Sequence, residues 1–326
     1  MVSGQGRKSI PLSVRLALVG IVVALCSADV PTQSAAQYGI ADLGTLGGSS
    51  AAASDVSEYG GTMVGQAQTS TGVYHAFRQG RLGLKDLGTL GGSRSTAFAV
   101  GGDSIVGQAQ TASGQEHTFS YSLYGAGGMV DLGTLGGTSS AAYGTEYGIV
   151  VGASKTTGDA RLQAFAFTSG AMSRLAFDWG GDSVARAVRG GLIVGYACTS
   201  GNASCRAFSF RDGVATNLGS FGGNSVANAA NYNDQIAGTS ALGDQTTTHA
   251  FLYANGALTD LGTLGGKSRE GLDINSRGDI VGTSDTASSG RHAFLCQTRI
   301  RWRSYRPASL FPPGPRRPRS PSRRRR

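Results

Sequence analysis

Four histidines, His75, His117, His249 and His292, are the only ones in this 326-residue chain. Three of them open the tripeptide HAF and His117 opens HTF. Imidazole is the commonest metal-binding side chain, so a set of four first suggests a metal centre. Asp42, Asp86, Asp131 and Asp260 are the next candidates, because each opens the same heptapeptide, DLGTLGG. A carboxylate beside several glycines could hold a cation, and the glycines themselves could cradle a phosphate. Cys198 and Cys205 stand seven apart across the Gly-containing turn CTSGNASC. In an exported protein that spacing reads as a hairpin disulfide, with two free thiols as the alternative.

The spacing of these residues decides between chemistry and architecture. Glycine pairs recur at Gly47-Gly48, Gly91-Gly92, Gly136-Gly137, Gly180-Gly181, Gly222-Gly223 and Gly265-Gly266, at intervals of 44, 45, 44, 42 and 43 residues. The fourth copy of the heptapeptide is degraded to RLAFDWGG from Arg174, and the fifth is NLGSFGG from Asn217. A second motif keeps step: MVGQ at Met63, IVGQ at Ile105, VVGA at Val150, IVGY at Ile193, IAGT at Ile236 and IVGT at Ile280. The HAF positions follow in the same phase, with Gln163 and Arg206 in the His slot of copies three and four.

A period near 43 residues with short β-branched runs and frequent glycine excludes helical repeats, which need amphipathic helices of about 15 residues. No proline lies between Thr32 and Arg306, as closely paired strands require. Each unit reads as four short strands: a small-residue strand A, the IVG strand B, the HAF strand C, and a strand D running into DLG. The expected fold is an all-β, six-bladed β-propeller over 38–296, with an open β-solenoid as the alternative. The segment YGIADLG from Tyr38 reads as a lone D strand, and the sixth copy ends after strand C. The first segment is therefore expected to complete the last blade and close the ring, which removes free sheet edges.

In this arrangement the candidate chemistry becomes structural. Each His lies on the third strand of a different blade, so the four cannot meet within about 2 Å of one metal. Asp or Asn at the head of the heptapeptide caps the backbone N–H groups that follow, which leaves Arg174 unexplained. The Gly pair supplies positive φ. Leu46, Leu90, Leu135 and Leu264, with Trp179 and Phe221 in the divergent copies, are expected to insert between blades. DINSRGD at Asp273–Asp279 resembles a calcium loop only faintly, since Arg277 takes the fifth position and no Glu follows; it reads as the turn between strands A and B. No phosphate-binding loop and no nucleophile elbow have the required context. Neither cofactor nor metal is expected, and no catalytic residue stands out.

The remaining segments bear on location. Arg7, Lys8 and Arg15 precede the eleven-residue apolar run LALVGIVVALC, followed by small residues. Residues 1–36 read as an export signal, too short to span a bilayer of about 30 Å. Residues 297–326 hold eleven Arg, six Pro and no acid. They read as a disordered extension, with a reading-frame change or a basic arm for anionic polymers as alternatives. The formal charge is +9, but without both ends the chain keeps 15 basic and 19 acidic residues. The body is thus no basic nucleic-acid surface. Cys26 lies in the signal, and the leftover cysteine, Cys296, needs no partner.

DLGTLGG, IVG and HAF at this spacing resemble the HAF-repeat family of probable bacterial extracellular proteins, over Tyr38 to Leu295. The resemblance implies export and repetition and says little about biochemistry. The expectation is a secreted or periplasmic monomer without a membrane span, a non-enzymatic binding or structural module. Its ligand would be an extracellular or envelope glycan or protein. A cell-envelope polysaccharide hydrolase or lyase, with carboxylates such as Asp178, Asp182 and Asp244 at one mouth, and a surface adhesin fragment are the alternatives.

Overall fold

A computed structural model describes residues 41–297, apart from 59, 60, 81, 82 and 126. The export signal at 1–36 and all but the first residue of the 297–326 tail lie outside the described residues.

Strands occupy most of the described residues, in six repeated sets. Unit 1 holds β1 (Gly47–Val56), β2 (Met63–Thr69), β3 (Tyr74–Gly80) and β4 (Gly83–Asp86). Unit 2 holds β5 (Gly91–Gly101), β6 (Ser104–Thr111), β7 (Glu116–Ser122) and β8 (Val130–Asp131). Unit 3 holds β9 (Gly136–Glu146), β10 (Ile149–Thr156), β11 (Leu162–Thr168) and β12 (Ala171–Arg174). Unit 4 holds β13 (Gly180–Arg189), β14 (Leu192–Thr199), β15 (Cys205–Arg211) and β16 (Val214–Gly219). Unit 5 holds β17 (Gly222–Ala230), β18 (Ile236–Leu242), β19 (Thr248–Ala254) and β20 (Ala257–Asp260). Unit 6 holds β21 (Gly265–Ile274), β22 (Ile280–Thr286) and β23 (Arg291–Cys296). Within each unit, consecutive strands pair antiparallel. Single parallel bridges, Glu116↔Ser139 and Thr248↔Ser268, tie unit 2 to unit 3 and unit 5 to unit 6.

Two backbone devices explain the repeated glycines. The first Gly of each pair sits at φ between 94° and 106°, where a side chain is strained. The IVG glycine has a different cause. Every strand A carries a register shift before its last residues, for example between Ala97 and Ala99. This β-bulge pushes a carbonyl toward strand B. A Cβ on Gly107 would run into the Thr96 carbonyl, and one on Gly152 into that of Ala141.

The core is divided among the contacts between neighbouring units. The HAF phenylalanines Phe77, Phe119, Phe165, Phe208 and Phe251 are fully buried. Val64 and Leu87 of unit 1 pack on Ala97, Ile105 and Phe119 of unit 2. Equivalent clusters join units 2 and 3, 3 and 4, 4 and 5, and 5 and 6. Each large aromatic buried this way removes 150–250 Å² from water, by roughly that order.

A serine on strand A adds a polar tie between units. Ser95 Oγ accepts from the Ala76 N–H of unit 1 and donates to the Gly88 carbonyl. Ser140 does the same with Thr118 N–H and the Gly133 carbonyl, and Ser225 with Ala207 N–H and the Gly219 carbonyl.

The contact between units 6 and 1 is different. No apolar cluster joins them among the described residues. Val281 is 43% exposed, whereas Val64, Val106, Val151 and Val194 in the same slot are fully buried. Leu295 is 57% exposed. The serine slot of unit 1 holds Ala51, which has no hydroxyl to offer. The closing D strand expected over 38–42 is not seen: 38–40 lie outside the described residues, and Ala41 and Asp42 belong to no strand. Unit 6 therefore has three strands among the described residues.

Candidate functional site

The HAF histidines and DLG aspartates lie at one end of the sheets and act on each other. His75 Nδ1 lies 2.9 Å from an Asp86 carboxylate oxygen, His117 Nδ1 is 2.8 Å from Asp131, and His249 Nδ1 is 2.7 Å from Asp260. The imidazole at the start of strand C thus clips the end of strand D in the same unit. The other carboxylate oxygen accepts from a glycine N–H two residues on, at 2.7 Å for Gly88, Gly133 and Gly262. Asn217 does the same for Gly219. At the joint between units 3 and 4 Asp178 takes over, accepting from Gly180 N–H, with Arg161 and Arg174 as its ion-pair partners. The histidines are thus spread over separate units, and His292 sits exposed on β23.

The interdigitating leucines divide. Leu90 and Leu135 pack into the clusters between units, as do Trp179 and Phe221. Leu46 is half-buried, and Leu264 is 45% exposed. The DLG leucines, not singled out from the sequence, carry more of the burial: Leu87, Leu175 and Leu218 are buried. Cys198 and Cys205 are joined by a disulfide between β14 and β15, and Cys296 is a free thiol.

The carboxylates considered for catalysis also serve the backbone. Asp182 accepts from Leu162 N–H and from Asn202 Nδ2. Asp244 accepts from Thr246 N–H, Thr247 N–H and the Thr247 hydroxyl, which lower its pKa to about 2. These residues lie at the strand ends carrying the Gly pairs. Calcium is not supported at Asp273–Asp279 either: Asn275 and Arg277 bond to Asp279, and Gly278 N–H closes the turn on the Asn275 carbonyl. Among the described residues, no three His, Cys, Asp or Glu side chains converge to hold a metal.

A pocket of about 770 Å³ lies at the opposite end, where strand A turns into strand B. All six units contribute to it: Asp55 and Glu58, Asp103, Glu146, Arg189, Tyr232, and Asp273, in unit order. Its size falls in the range of small-molecule sites, roughly 300–1,000 Å³. It holds five carboxylates and one guanidinium, a net charge of −4.

Arg189 organises the centre. Its Nη1 lies 3.2 Å from Glu58 of unit 1 and 3.9 Å from Glu146 of unit 3. Its guanidinium lies 5.3 Å from the centre of the Tyr232 ring. Burial works against the Arg189 charge, but hydrogen bonding to Tyr232 and the two carboxylates raise its pKa beyond the usual value. Glu146 is 4% exposed, and its Oε1 has no hydrogen-bond partner; the Arg189 distance is too long for one. Asp55 is pushed up in pKa, chiefly by burial, against hydrogen bonds from Val100 and Val56 N–H, with Asp273 adding repulsion. Tyr147 stands at the rim with φ 42°. The equivalent first residues of other two-residue turns are Ser169, Asp212 and Asn255, types that tolerate this conformation better.

The pocket residues occupy the A–B turns, one of the stretches where the copies diverge, so no repeated motif marks them; Asp273 alone among the charged ones was singled out in the sequence, within DINSRGD.

No family model matches the chain, and no curated protein matches it in sequence. Solved structures do. The beta-propeller domain of the Trilobed protease from Pyrococcus furiosus, which has an open velcro topology, superposes with a TM-score of 0.51 at 11% identity, covering 75% of this chain and 81% of that one. A TolB protein from Agrobacterium tumefaciens gives 0.48 at 11% identity, covering 77% and 90%. A triple mutant of AofleA from Arthrobotrys oligospora gives 0.39 at 15%, covering 73% and 80%. The first likeness defines the class: an all-β protein of antiparallel four-stranded sheets with β-propeller architecture.

Proposed function

We propose that the chain is an exported, non-enzymatic binding module of the HAF-repeat type, built as a six-bladed propeller, with its ligand in the pocket at the A–B turns. One observation carries this reading. The repeated histidines His75, His117 and His249 and their aspartates hold strands C and D together, and the six divergent turns converge on one pocket. A closed ring needs a fourth strand for unit 6, which the sequence expects from the segment YGIADLG. A sequence correspondence supports this. Units with a HAF histidine on strand C have an aspartate ending strand D, whereas Gln163 and Arg206 accompany Arg174 and Asn217. By that rule His292 calls for an aspartate, and Asp42 matches it.

The test is a glycan array and an envelope-extract pull-down with the full chain and with Asp273→Asn. Capture without turnover, weakened by the substitution, is the expected result. Release of product from a polysaccharide would replace the binding reading with the hydrolase or lyase one. Asp55, with its raised pKa beside Asp273, would then be the acid to examine.

A further inference from the structure

The pocket's charge and its one unsatisfied atom say what kind of ligand it suits. Five carboxylates and one guanidinium line the pocket, and that guanidinium is already shared between Glu58, Glu146 and Tyr232. Glu146 has Arg189 at 3.9 Å and interacts with Tyr232, but its Oε1, buried in the pocket wall, accepts no hydrogen bond. A buried carboxylate oxygen without a hydrogen bond is costly, and a donor that enters relieves it, most of all a charged one.

A metal ion does not answer this, since no three ligating side chains stand close enough to share one among the described residues. Carboxylates spread around a pocket of this volume suit a larger organic cation whose charges are separated. The aromatic side chains fit the same ligand. Tyr124, Tyr147 and Tyr232 line the pocket with large exposed surfaces, and ring faces attract ammonium and guanidinium groups. Tyr147 projects from a turn position at positive φ where Asn, Asp or Gly is easier to place.

We propose that the pocket binds an organic cation, an alkylammonium or guanidinium group, with Glu146 as its principal carboxylate and the rim tyrosines against its flanks. This deepens the binding-module reading and rests on it. The group has two possible sources: a free polyamine, or a basic side chain of a polypeptide, the Arg-rich residues 297–326 among them.

The test is isothermal titration of the full chain with spermidine, with an oligo-arginine peptide, and with neutral 1,8-octanediol. At least one cation is expected to bind while the diol does not, with affinity falling as salt rises. Spermidine binding alone marks a free amine, and peptide binding alone marks a polypeptide. Glu146→Gln should weaken the interaction at least tenfold, as loss of a charged hydrogen bond predicts. Asp244→Asn, at the other end of the sheets, should leave it unchanged. If Glu146→Gln fails to fold, Asp273→Asn carries the same expectation on a more exposed side chain. No cation binding, or cation binding untouched by both pocket substitutions, overturns the inference. If a neutral or acidic glycan binds instead and Glu146→Gln weakens that, the ligand class is wrong and the binding reading survives. If no probe binds and a glycan is cleaved, both fall.

Discussion

Arg189 and Glu58 are 131 residues apart and meet at 3.2 Å, joining the A–B turn of unit 4 to that of unit 1. The pair crosses the pocket, and Glu146 of a third unit faces the same guanidinium. Arg189→Ala should therefore leave acidic side chains facing each other with no cation between them. Because Arg189 and Glu58 are partly exposed, the expected loss is modest, about 1 kcal/mol. Urea unfolding at low and high salt checks it: the difference from wild type should shrink as salt screens the carboxylates.

The joint leucines should differ in their effect. Leu135 packs between units 2 and 3, whereas Leu264 is 45% exposed and belongs to no apolar cluster among the described residues. Leu135→Ala is expected to cost about 1–3 kcal/mol, below the roughly 2–5 of a fully buried leucine because the residue is only half-buried. Leu264→Ala should cost less than about 1 kcal/mol. Equal losses in thermal melts would contradict the packing described.

Gly107→Ala tests the bulge account of the IVG motif. Its Cβ would collide with the Thr96 carbonyl, which is backbone and cannot rotate away. The expected cost is at least about 3 kcal/mol, in the range of severe overpacking. A neutral result would mean that strand A can straighten.

Two aspartates should give opposite acid limbs. Asp244 has its pKa lowered to about 2 by the Thr247 hydroxyl and two backbone N–H groups. The folded form therefore releases this proton more readily than the unfolded chain. Its stabilisation is present above the ordinary carboxylate value and is lost as pH falls toward 2. Asp244→Asn should flatten that part of the stability curve, read by urea melts across pH 2–5.

Asp55 has its pKa raised, chiefly by burial. Here the folded form holds the proton more tightly, so stability falls as pH rises from the ordinary value of 3.8 through the raised one. Asp55→Asn should remove that decline, gaining relative to wild type as pH increases. The asparagine oxygen can still accept from Val100 N–H, which limits any loss of the tie to unit 2.

The repeated architecture was legible because it rests on local rules. Period, glycine pairs and proline-free runs define strands and turns through backbone sterics alone. The His–Asp clip was also written in the chain, as the joint replacement of His and Asp in units 3 and 4, but it shows only when strands C and D are compared together. The burial of Leu87, Leu175 and Leu218 rather than Leu264 could not be read off, because both leucines of the heptapeptide repeat alike. The pocket was least legible. Asp55, Asp103, Glu146, Arg189 and Asp273 lie in different copies, and only the tertiary arrangement brings their turns to one place.

That arrangement separates two kinds of inheritance along each strand pair. At one end, the glycines and their caps tolerate little, since each change breaks a joint that five other joints resemble. At the other end, the hairpin tips vary from copy to copy, yet they also tie units together, as Arg189 does with Glu58 and Asp55 with the Val100 N–H. A change there alters the lining at one compass point of the pocket and, at these tied positions, loosens the frame as well.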